Sequence, residues 1–179
     1  MRKLIATTSV ALLTLLYSCQ GPGQIYRDRM YDRANSIQQF RYFLEMEGDW
    51  RVVGGAPSQG ATHIYKTIAN GTVVVETAFP GEPHEMITAI HLNGPNLVMT
   101  HYCATGAQLY MVAEHPSGDK VHFRFESASD LNHPNAPHMR DPSYHFIDRD
   151  RVNSIWSYWE GGKAVTGKGM KVELERVPD

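Results

Sequence analysis

In the stretch GMKVELERV, Met170, Val172 and Leu174 fall on one side, while Lys171, Glu173 and Glu175 fall on the other. Val121, Phe123 and Phe125 alternate in the same way with His122, Arg124 and Glu126. A period of two marks a strand with one buried and one solvated face. From Asp49 onward the pattern predicts strands at 49–54, 61–69, 72–79, 86–93, 97–105, 107–115, 120–129, 138–147, 151–159 and 163–177. The separators carry turn chemistry: Asn70-Gly71, Gly94-Pro95-Asn96, Ser117-Gly118-Asp119, Asp148-Arg149-Asp150 and Gly161-Gly162. Short strands at even spacing predict an all-β, up-and-down antiparallel meander, closed into a barrel of about 8–10 strands.

Before Trp50 the period changes. In YDRANSIQQFRYFLEMEG, Ile37, Phe40, Phe43 and Leu44 recur at helical spacing, with Asn35 or Ser36 available as cap and Gly48 as stop. Gly21 to Asp32 mixes Gly, Pro and charge without periodicity, as a tether does. At the start, Arg2 and Lys3 precede an apolar run that ends in Leu16-Tyr17-Ser18-Cys19. Such a run is a secretory signal, too short for a membrane span of about 20 residues. The predicted organisation is a leader at 1–18, a tether at 19–32 and one helix-plus-barrel domain at 33–179.

The Leu16-x-Ser18-Cys19 ending resembles a bacterial lipobox. That resemblance implies cleavage before Cys19 and lipid on its sulfur, so the membrane is a partner through the anchor. Gln20 after the cysteine implies an outer-membrane lipoprotein facing the periplasm of the bacterial cell envelope. Cys103 is then the only other thiol, expected to be buried and inert. The formal net charge is −2, and it becomes −4 once Arg2 and Lys3 are removed. Nothing in that balance predicts a nucleic-acid partner.

Gly48-Asp49-Trp50, after a helix and opening the first strand, resembles the Gly-x-Trp signature of lipocalins and their calycin relatives. The resemblance implies that Trp50 closes one barrel end beneath a basic residue of the last strand, the place Arg176 occupies. The block THYCATGAQ is similar to one in bacterial proteins of this build, and it brings no activity with it.

In a meander, alternate connections share an end. The tight turns near 70, 94, 118 and 149 fall with the helix, Trp50 and Arg176; the longer loops fall at the other, open end. Glu76 shares a face with Val74 and Ala78, and His101 shares one with Leu97, Met99 and Cys103. These two residues, with His138 and Arg140 at the open rim, are the predicted polar anchors. Phe123, Phe125, Trp156 and Tyr158 are the predicted aromatic wall. His63, His115 and His122 read as surface positions. The expected function is binding of a small, largely apolar or amphipathic molecule, and no catalytic residue is assigned. The cofactor is undetermined: neither CxxC nor HExxH spacing occurs. Alternatives are a metal or haem protein or an enzyme using the open-end histidines, or a filled barrel serving as a structural or interaction module.

Overall fold

The computed structural model describes residues 22–53 and 62–178, with side chains from Asp32 onward. The predicted leader and Cys19 therefore lie outside the described residues. Helix α1 spans Pro22–Leu44, beginning inside the stretch read as a tether. The strands follow as β1 (Gly48–Val53), β2 (His63–Ile68), β3 (Val73–Ala78), β4 (Met86–Asn93), β5 (Asn96–Tyr102) and β6 (Gln108–Ala113). Then come β7 (Lys120–Ser129), β8 (His138–Asp148), β9 (Arg151–Glu160), the two-residue β10 (Lys163–Ala164) and β11 (Met170–Arg176).

Every pairing is antiparallel, β1 to β9 in sequence, then β9 with β11 and β11 with β1. This closes a ten-stranded barrel, compatible with a calycin or lipocalin-like fold, and removes the exposed edges that an open sheet would leave. β10 pairs only with the end of β9. The expected single strand over 163–177 is thus split, because Val165–Gly169 leaves the wall between β10 and β11.

Alternation does what the sequence pattern requires. Val121, Phe123, Val172 and Leu174 are buried inside, together with Leu97, Met99, Leu109 and Met111. Helix α1 closes one end, with Phe40 and Phe43 packed into the core and Phe43 edge-on to Tyr144 and Phe146. Its polar side bonds the turns at that end. Ser36 Oγ donates to Pro95 O (2.7 Å), Gln39 Nε2 to Glu114 O (2.9 Å) and Tyr42 Oη to Gly118 O (3.3 Å). Ser36 is therefore a mid-helix anchor and not a cap.

Gly48 does not stop the helix; it opens β1 at φ 124, a conformation that side chains rarely adopt. A Cβ there would stand 3.2 Å from Arg176 Nη1. This explains the glycine of Gly-x-Trp: the backbone must turn while Arg176 passes close by.

Candidate functional site

The open half of the barrel is not filled. A cavity of ≈ 170 Å³ remains there, lined by Glu76, His63, His101, Cys103 and Trp156 and by apolar neighbours such as Met139. Strand register builds its polar wall. Tyr65 on β2 faces Glu76 on β3, Glu76 faces Thr88 on β4, and Thr88 faces His101 on β5. Residues directly opposite one another share a face, so these four side chains form one inward row across four strands.

Glu76 is 6% exposed. Tyr65 Oη donates to its Oε1 at 2.5 Å, and His63 Nε2 lies 3.8 Å from the same oxygen. Burial and the adjacent carboxylate hold the Tyr65 hydroxyl well above the ordinary tyrosine range, so it remains a donor at neutral pH. Burial lowers His63, and Glu76 opposes that shift without cancelling it. His101 bonds Thr88 Oγ1 through Nδ1 at 2.9 Å and packs against Trp156 with ring centroids 4.9 Å apart. Its partner is thus Thr88 and not Glu76, because β4 lies between their strands.

Cys103 lies just beyond β5 and is only half buried. Burial pushes its thiol up. Hydrogen bonding to His101 and to the side chain and backbone of Thr105 outweighs that and leaves the thiol lowered to about 7. The expectation of a buried thiol is corrected: β5 ends at Tyr102, three residues short of the predicted 105, and Cys103 opens the rim turn instead of lying on a strand face.

Phe79 stands at the rim with φ 57, a costly conformation for a bulky residue. Its ring packs against His63 (5.2 Å) and His84 (4.7 Å), and it lines the cavity.

Of the eight predicted binding residues, Glu76, His101 and Trp156 line this cavity. Phe123 lies fully buried in the core and packs against Phe43. Tyr158 lines a separate open groove, with Lys168 Nζ 5.2 Å from its ring centroid. Phe125, His138 and Arg140 gather instead where β7 and β8 separate. β7 and β8 pair over only three registered positions, 120–122 with 143–145. Beyond them, Asp141 Oδ1 accepts the Phe125 N–H at 2.7 Å, and Arg140 Nε bonds Asp141 Oδ2 at 3.1 Å. The Arg140 guanidinium packs over Phe125 (4.5 Å) and Trp159 (3.3 Å). His138 Nδ1 bonds Ala136 O at 2.7 Å, while His138 Nε2 and Trp159 Nε1 are buried without a partner among the described residues.

The cause of this rearrangement is an irregularity in β8 between Arg140 and Ser143. One extra residue there reverses the alternation, so Met139, not His138 or Arg140, faces the cavity. His63, expected on the surface, is 5% exposed and faces inward opposite Ala78. Ile64 and Ile68 lie on the opposite face of β2, whereas Tyr65, two residues on from His63, is buried on the same face as His63.

Among the described residues, no group of three or more His, Cys, Asp or Glu side chains is placed to hold a metal ion. No protein-family model matches this chain, and no curated protein is similar enough to count as a relative.

Proposed function

We propose that this protein is an envelope-anchored, lipocalin-like barrel that binds a compact ligand with an apolar body and a hydrogen-bond-donating head, an amine above all. The observation that carries this reading is Glu76, a buried carboxylate on an otherwise largely apolar cavity whose lining, among the described residues, includes neither lysine nor arginine. A carboxylate accepts hydrogen bonds and favours positive charge. Burial lowers His63 and so disfavours its charged form beside Glu76.

Size narrows the ligand. The ≈ 170 Å³ cavity lies below the roughly 300–1,000 Å³ of drug-sized pockets. It is close to the engineered void of about 150 Å³ that takes up benzene. That volume favours a molecule of a few heavy atoms over a lipid tail or a macrocycle. Met86, Met139 and Met170 on the lining are flexible, polarisable side chains that adapt to shape. The lipobox-like Leu16-x-Ser18-Cys19 supplies the anchor, through lipid on Cys19, with the barrel facing the periplasm.

Native mass spectrometry of the full chain purified from its own host tests the reading. The expected result is a one-to-one extra mass that organic extraction removes and that Glu76→Leu lacks. A wild-type barrel carrying no extra mass, or an equal load in the variant, contradicts it.

A further inference from the structure

We infer that the buried ring nitrogens of His138 and Trp159 form a second binding site, behind the cavity wall, for the hydroxyl group of a small alcohol or phenol. The two residues stand directly opposite one another on β8 and β9. Opposite residues share a face with Cβ atoms about 4.5–5.5 Å apart, so the two rings are neighbours. His138 is 4% exposed, and its Nε2 and Trp159 Nε1 are both buried without a partner among the described residues. Buried polar atoms are ordinarily paired, so two unpaired nitrogens side by side mark a site that a guest completes.

Hydrogen-bond direction fixes the chemistry of that guest. Ala136 O can only accept, so the proton of the neutral His138 ring is on Nδ1, which donates to it at 2.7 Å. Nε2 is left as a bare acceptor, while Trp159 Nε1–H can only donate. One group serves both: an oxygen that accepts from the indole and gives its own proton to the imidazole. A carboxylate has no proton to give, and an ammonium has no lone pair to offer. The Arg140 guanidinium, 3.3 Å from the Trp159 ring centroid, further disfavours a cation.

The body of the guest has a place as well. A groove of ≈ 370 Å³ runs along the outer wall beside the exposed Ile155, within the volume range of small-molecule pockets. It borders Arg140: Asp141 on its lining bonds Arg140 Nε, and Ser157 on its lining stands opposite Arg140. Trp159 follows Ser157 by two positions and so takes the same face. Arg140 thus stands between the groove and the two nitrogens, with its side chain 19% exposed. β7 and β8 pair only at 120–122 with 143–145, so no ladder seals the wall beside it. Met139, between His138 and Arg140, faces the cavity instead. The site therefore lies on the other side of the wall and does not rest on the Glu76 reading.

¹⁵N NMR of the full chain at neutral pH, titrated with phenol and with toluene, tests the assignment. Phenol is expected to shift Trp159 Nε1–H and His138 Nε2 saturably, while Trp50 Nε1–H, held by Met46 O, stays in place. Toluene has the same shape without the hydroxyl and is expected to bind at these nitrogens about tenfold more weakly or worse, as unmade buried hydrogen bonds require. His138→Phe removes the acceptor and weakens phenol about tenfold as read at Trp159. Trp159→Phe removes the donor, is read at His138 Nε2, and serves if His138→Phe does not fold. Signals fixed at both nitrogens, the result for a site filled by one ordered water, would overturn the assignment. Equal affinities for phenol and toluene, or phenol affinity unchanged in a folded variant, would overturn it too.

Discussion

Arg176 sits over Trp50 with its guanidinium carbon 4.4 Å from the ring centroid, while Nη1 and Nη2 donate to the carbonyls of Glu47 and Glu45 at 2.7 Å each. Trp50 is fully buried and donates Nε1–H to Met46 O at 2.7 Å. One contact thus ties the last strand to the helix–strand junction and to the first strand, closing the barrel over its helix. Trp50→Ala is expected to cost about 3–5 kcal/mol, the range for deleting a large core side chain. Urea unfolding measures it, and a loss under about 1 kcal/mol would show that Trp50 does not hold this end.

The lowered His63 gives stability a pH dependence of defined sign. The unfolded histidine titrates near 6.5, above the folded one, so the unfolded state binds more protons between the two values. His63's contribution is therefore fully present above 6.5 and is lost as pH falls towards the folded value. Unfolding free energies between pH 7.5 and 5 should decline in the wild type and decline less in His63→Gln. Parallel curves for the two proteins would refute the assignment.

Arg140 holds the wall where β7 and β8 separate and takes no part in the cavity. Arg140→Lys keeps the charge but loses the planar stack on Phe125 and Trp159. The expected cost is about 1–2 kcal/mol of stability, with ligand occupancy by native mass spectrometry unchanged. Loss of ligand without loss of stability would return Arg140 to the binding site.

The strands, their order and the closed end were legible because each follows from local chemistry: period-two burial, Gly- and Asn-rich turns, and the Gly48–Trp50 junction. The cavity was legible only where alternation runs unbroken. Glu76 and His101 lie on strands of regular register and face inward as their apolar neighbours Val74 and Met99 do. His138 and Arg140 lie on the far side of a one-residue irregularity that no period discloses, although Asp141-Pro142 hints at it, since proline within a sheet is confined to edges and bulges. His63 was obscured because Ile64 and Ile68 place apolar residues on the outer face of β2. Cys103 was misread because its strand ends at Tyr102, so its environment is set by a turn and not by a face.

The methionine methyl groups report on the cavity most directly. Met86, Met139 and Met170 line it, whereas Met46, Met99 and Met111 are fully or almost fully buried in the core and do not. ¹³C-methyl NMR of the protein, titrated with aniline or isobutylamine, is expected to shift the first three signals saturably and leave the other three in place, with the response weakened in Glu76→Gln. Methyl signals that all stay fixed, or that all drift together, would contradict a ligand-binding cavity at Glu76.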